Sequence, residues 1–192
     1  VSTILYVGKL SYGKGVDLLV DALPEIIEQI GEVEAVFVGE GPLLWQLREQ
    51  ICGWGLDYYA AKVGFLGQVP HAEVCALYRD ADVTVIPSRW QEPFGRVALE
   101  ALWYDCPIVV TNRGGLPEIA AYGPSEIVEP TGEEYSPLDI AAGVVRMLRR
   151  ERGEEKYSSP EYSSRHVDRD LLRWVFGDVV RDKHMEMYEG LT

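Results

Sequence analysis

Short apolar runs alternate with helix-period segments along most of this chain, and that alternation constrains its fold more than any other feature. Runs rich in Val, Ile and Phe recur at 3–7, 35–38, 62–66, 82–86 and 107–110, with a shorter one at 126–128. They are short and apolar on both faces, as strands buried on both sides of a sheet are. Between them lie segments of helical period at 15–30, 42–54, 72–78, 95–104 and 117–122. In the first of these, Val16, Leu19, Val20, Leu23, Ile26, Ile27 and Ile30 recur at three- and four-residue steps, while Asp17, Asp21, Glu25 and Glu28 face away. One face of such a helix packs on a sheet. Strand followed by helix, repeated, predicts an α/β sandwich with a mostly parallel sheet.

Ser136 and Pro137 have the residue types of a cap and a first-turn proline, and the basic residues Arg146, Arg149 and Arg150 suit a helix C-terminus. The reading is therefore one domain over residues 1–150, closed by a helix that covers the last strand. From 151 to 170 the composition turns to Glu, Ser, Tyr, Arg and Pro without apolar period, which predicts a loop or tether. Residues 171–192 are expected to be helical, with Asp178 as a cap and a stripe of Val180, His184, Met187, Tyr188 and Leu191 that needs a partner surface. The chain opens Val1-Ser2-Thr3-Ile4 straight into a strand-like segment, which predicts a piece of a longer protein.

Charge and composition remove several classes of function. With 18 Lys and Arg against 31 Asp and Glu, a net charge of −13 repels a nucleic-acid backbone. Cys52, Cys75 and Cys106 are widely spaced and have no close His partner, against a zinc cluster or a disulfide framework and in favour of a reducing, cytoplasmic compartment. No apolar run approaches the roughly 20 residues of a membrane span; peripheral attachment of a longer protein is left open. His71, His166 and His184 are scattered and read as surface or interface residues.

Four segments carry the candidate chemistry, each at a strand-to-helix junction. Gly8 to Gly15 reads GxxxxGKG, one residue short of a P-loop, because Gly15 lacks the hydroxyl that would ligate magnesium. Its glycines, the following helix start, Lys9 and Lys14 still make an anion site; the competing reading is a flexible loop with solvated lysines. Gly39-Glu40-Gly41-Pro42 imitates a dinucleotide fingerprint, but Leu44 occupies the third glycine position, and a tight connection explains the segment as well. In Pro87 to Leu102, Glu92 lies in a loop and Glu100 inside the apolar stretch Val97-Ala98-Leu99-Glu100-Ala101-Leu102. A carboxylate buried there needs a hydrogen-bond donor such as a ribose diol; the alternative is an exposed i, i+4 pair with Arg96. Phe94 and Gly95 place backbone amides at the same helix start. Thr111 to Glu118 repeats the strand, glycine loop and helix start, and divides evenly between structural and functional readings.

Taken in order, Gly8-Lys9 with Lys14-Gly15, Gly39-Glu40-Gly41-Pro42, Phe65-Leu66-Gly67, Glu92-Pro93-Phe94-Gly95 with Glu100-Ala101, and Gly114-Gly115-Leu116-Pro117-Glu118 resemble family 4 retaining glycosyltransferases. The resemblance covers about residues 3–150, and Glu-x7-Glu is its most specific part. It implies the Rossmann-like, donor-binding C-terminal lobe of a two-lobed GT-B architecture, with an N-terminal acceptor lobe absent from this chain and the final helix packing on that lobe. It further implies a nucleoside diphosphate sugar as donor (UDP-, ADP- or GDP-hexose), with no metal or other cofactor required. Lys9 and Lys14 would neutralise the diphosphate, the amides around Phe94 and Gly95 would help hold the phosphate and sugar, and Gly8 would belong to the donor-binding set. Glu100 would grip the ribose, the backbone at Leu66 would touch the base, and Glu92 would meet the transferred sugar. Glu92, Lys14 and Lys9 are thus implied to act at the reacting centre. The likeness leans towards glycogen and starch synthases and hence a glucosyl donor. Two departures stand out: Lys9 replaces an arginine, giving up bidentate phosphate binding, and Asp105 replaces a glycine where a left-handed cap is expected.

The rival readings are a P-loop-like nucleotide-binding module that hydrolyses ATP, a glycosidase working through Glu92 and Glu100, and a non-catalytic interaction domain docking through its terminal stripe.

Overall fold

The computed structural model describes residues 1–53 and 63–151. Six parallel strands among these form one sheet: β1 (Ser2–Val7), β2 (Val33–Val38), β3 (Val63–Gly67), β4 (Val83–Ile86), β5 (Ile108–Thr111) and β6 (Ser125–Val128). Their order across the sheet is β3-β2-β1-β4-β5-β6. The chain winds outward from β1 to one edge, then returns to the centre at β4 and winds to the other. The loops after β1 and β4 therefore diverge to opposite faces, leaving a crevice at the strand C-terminal ends, where α/β folds of this kind hold ligands.

The connecting helices are α1 (Val16–Ile30), α2 (Leu44–Gly53), α3 (His71–Asp80), α4 (Arg96–Trp103), α5 (Leu116–Ala120) and α6 (Pro137–Glu151). Two apolar cores, one on each face, follow from the two-residue period of the strands. Ile4 and Tyr6 of β1 join Val83, Val85 and Val109 under α1, α2 and α6, whereas Leu5 joins Ile86, Ile108 and Val110 under α3, α4 and α5. Residues Leu19, Leu23 and Ile26 of α1 are fully buried, as the helical period requires. At the start of α6, Ser136 and Asp139 form a reciprocal cap: the Ser136 amide and hydroxyl each donate to Asp139 Oδ2 at 2.8 Å, and the Asp139 amide donates back to Ser136 Oγ at 3.2 Å.

The strands and helices predicted up to residue 150 are all present, displaced at their ends by at most two residues. Lys62 and Trp54, at the ends of two predicted elements, lie outside the described residues, as do the tether predicted at 151–170 beyond its first residue and the predicted helices at 171–192; that first residue, Glu151, ends α6 instead. Asp105 has the left-handed backbone, φ 60°, that the family glycine would occupy.

Candidate functional site

Helices α1 and α4 both begin at a glycine in the left-handed region, Gly15 (φ 67°) and Gly95 (φ 75°), and neither has a side-chain cap. Their first-turn amides keep the partial positive charge of an uncapped helix start. At Gly15 the glycine is also forced by space, because a Cβ there would sit 1.8 Å from the Pro87 carbonyl oxygen. A P-loop serine or threonine cannot stand at this position without parting the two loops. The missing hydroxyl is thus a packing requirement of the fold.

The loops after β1 and β4 are bound to each other. Gly13 O accepts the amides of Arg89 and Trp90 at 3.0 and 3.1 Å. The Arg89 guanidinium grips Asp17 through both carboxylate oxygens at 2.8 and 2.7 Å, donates to Tyr12 O at 2.8 Å, and stacks 3.9 Å from the Tyr12 ring centre. Lys14 and Glu92 are brought together by this fastening: Lys14 Nζ lies 2.6 Å from Glu92 Oε1, and Ser88 Oγ donates to the same oxygen at 2.9 Å.

Gly8, Lys14, Glu92, Phe94 and Gly95 line one cavity of about 340 Å³, together with Tyr6, Val7, Ile86, Pro93, Arg96 and Val97. Tyr6 is buried and donates its hydroxyl to Lys9 O at 2.9 Å. Burial, reinforced by the negative charges of Glu92 and Asp17, pushes its pKa up, so it is a neutral phenol in this wall. Glu92 is positioned from behind by the loop after β5: Gly115 donates its amide to Glu92 O at 2.7 Å, and Gln91 Oε1 accepts the Gly114 amide at 2.7 Å. Gly114 (φ 58°) has room only for hydrogen, since a Cβ would meet Glu92 O at 2.1 Å. The third glycine loop of the sequence therefore serves Glu92.

Three expected site residues stand elsewhere. Lys9 is exposed and its side chain does not line the cavity, although its carbonyl joins the wall through Tyr6. Leu66, 49% exposed, sits towards the end of β3 near the sheet edge. Glu100 lies one helical turn below Arg96, 3.8 Å from it, and accepts from Tyr78 Oη at 3.3 Å.

The sequence reading of Glu100 as the sequestered carboxylate needs correction. Its side chain is 27% exposed against 11% for Glu92, so the more deeply buried acid is the one in the loop. The apolar neighbours Ala98, Leu99, Ala101 and Leu102 point into the core, whereas Glu100 sits on the flank of α4 facing α3. Of the contacts weighed from sequence, the Arg96 pair is there, and the fully buried Tyr78 is a donor to Glu100 that the sequence reading did not name. The pair Gly39 and Gly41 behaves as a tight connection, with Cβ positions 2.0 and 2.2 Å from the carbonyls of Gly8 and Leu10. Ser88, Tyr78 and Tyr6 escaped the sequence reading: the two tyrosines have ordinary core positions in their helix and strand periods, and Ser88 lies in a loop without a period.

Among the described residues, no group of three or more His, Cys, Asp or Glu side chains could hold a metal ion, and no helix is long and apolar enough to cross a membrane.

The family model for Glycosyl transferases group 1 matches residues 2–165. An uncharacterized glycosyltransferase of Methanocaldococcus jannaschii is 35% identical over 187 residues, covering 97% of this chain and 44% of that protein. Among solved structures, the C-terminal domain of the glycosyl transferase group 1 family protein LpcC from Francisella tularensis is 26% identical, with a TM-score of 0.63 over 77% of this chain and 75% of that one. The Anabaena protein HepE, solved in complex with UDP and glucose, shares the fold at 22% identity and a TM-score of 0.63, covering 94% of this chain and 48% of that one. The chain thus spans less than half the length of the Methanocaldococcus relative and of HepE. With the matched profile running through every described element and the relative sharing a third of its residues, this chain belongs to the group 1 glycosyltransferase family.

Proposed function

We propose that this chain is the donor-binding lobe of a retaining glycosyltransferase, which holds a nucleoside diphosphate hexose for transfer to an acceptor bound by a separate N-terminal lobe. The observation that carries this reading is the convergence of Gly8, Lys14, Glu92, Phe94 and Gly95, from two separate loops, on one cavity at the uncapped start of α4. A helix start and an ammonium facing one space suit a diphosphate, whose charge grows as the bond between sugar and phosphate oxygen breaks. Lys14 and the amides at Phe94 and Gly95 receive that charge, with Lys9 as an exposed second cation at the same loop. Glu92 meets the hydroxyls of the transferred sugar, Glu100 holds the ribose, and the backbone at Leu66 borders the base.

Calorimetry with UDP, ADP and GDP tests the reading. One of the three binds without magnesium, and Lys14→Ala or Glu100→Ala weakens it tenfold or more, on the order of 1.4 kcal/mol. Strict magnesium dependence, or indifference to both substitutions, overturns it. ATP turnover would instead favour the P-loop reading, against which the Gly15 contact with Pro87 already argues.

A further inference from the structure

Ser88 is fully buried in the loop that follows β4. Its hydroxyl oxygen lies 2.9 Å from Glu92 Oε1 and 3.3 Å from each of the carbonyls of Gly13 and Trp90. A serine has one proton to donate, and the ionised acceptor at the shortest distance is the strongest claimant. Ser88 is itself anchored, since its carbonyl accepts the hydroxyl of Thr111, also fully buried, at 2.7 Å. A line of hydrogen bonds thus runs from the end of β5 through Ser88 to the Glu92 carboxylate in the cavity wall.

The same Glu92 oxygen is also held by Lys14, and the two donors differ in kind. Lys14 is a flexible ammonium with its side chain 38% exposed. A diphosphate entering the cavity competes for it with greater charge. Ser88 has no such alternative. Once Lys14 turns to phosphate, Ser88 is the remaining side-chain donor to Oε1 among the described residues. Oε2 accepts no hydrogen bond among the described residues, and Glu92 lines the cavity in which a transferred sugar would sit.

We infer that Ser88 is a positioning residue which holds Glu92 in its sugar-facing orientation after Lys14 has left it, so that Ser88 sets the preference for a sugar-bearing nucleotide over the bare diphosphate. This inference rests on the donor-lobe reading. It assigns Ser88 no contact with the ligand and no proton transfer.

The experiment measures, by calorimetry on the 192-residue chain, the ratio of dissociation constants for a bare nucleoside diphosphate and its glucose conjugate. The pairs are UDP with UDP-glucose, ADP with ADP-glucose and GDP with GDP-glucose. Ser88→Ala is expected to lower that ratio roughly threefold to tenfold while bare diphosphate binding stays within about twofold. In a Glu92→Gln background the same substitution should change the ratio by less than about twofold, because the charged acceptor is gone. Ser88→Cys, a slightly larger side chain with a weaker donor, should fall between, and it carries the test if Ser88→Ala does not fold. An unchanged ratio, an equal loss for both ligands, or an equal effect with and without Glu92 overturns the inference alone. Absence of binding by all three diphosphates to the unsubstituted chain overturns the donor-lobe reading together with it.

Discussion

Tyr78 illustrates how a residue outside the cavity can govern one near it. Its ring is fully buried on α3 and its hydroxyl reaches Glu100 on α4. Burial comes first and the neighbouring Glu100 charge second in driving its pKa well above 10.0. Below pH 10 the phenol is neutral in both folded and unfolded chains. Above it, the unfolded chain releases a proton that the folded one keeps, so folding stability falls as pH rises through the alkaline range. The folding free energy of the unsubstituted chain should therefore decline above pH 10, and Tyr78→Phe should shallow that decline. At neutral pH the same variant should lose about 1 kcal/mol for the missing hydrogen bond. Denaturant titrations at pH 8 and pH 10.5 measure both; an identical slope in the two proteins refutes the assignment. Tyr78 also shows the limit of sequence reading at this scale. Its position in the helical period announces burial, but nothing local to it names Glu100, 22 residues away, as the group it faces. Ser88 and Glu92 are only four residues apart, yet their contact depends on a loop shape set by Gly114 and Gly115 from the next strand.

At the scale of elements the sequence was far more legible, because period and length are local properties. Each β-run predicted from its Val, Ile and Phe content pairs in the sheet, and α1 persists through Pro24 since the buried face from Val16 to Ile30 outweighs one lost hydrogen bond. The order of strands was not legible, since it is decided by which faces the helices cover. The loops are where the two levels meet. The segment GxxxxGKG lacks only a hydroxyl to complete a P-loop signature, so Gly15→Ser is an informative substitution. Its side chain would run into the Pro87 carbonyl, and the left-handed backbone adds about 1–2 kcal/mol for a residue with a Cβ. The expected outcome is a melting temperature lowered by at least ~4 °C with no gain of ATP hydrolysis. A stable variant that turns over ATP would restore the phosphohydrolase reading.

The whole molecule spans 44% of the Methanocaldococcus relative's length, and its family match runs from residue 2 to residue 165. On the proposed reading, the chain holds the surroundings of one of the two substrates. The chain alone should bind a nucleotide sugar in calorimetry and yet give no transfer to any saccharide acceptor under the same conditions; turnover by the isolated chain would contradict the division of labour between lobes. The fastening between the loops after β1 and β4 bears on how such a protein would move. Gly15 against Pro87, Gly13 O against two amides, and the Arg89 pair with Asp17 leave Lys14 and Glu92 no independent travel of their backbones. Two walls so joined are expected to move as one body, and clamping on the proposed donor would then come from a hinge outside them.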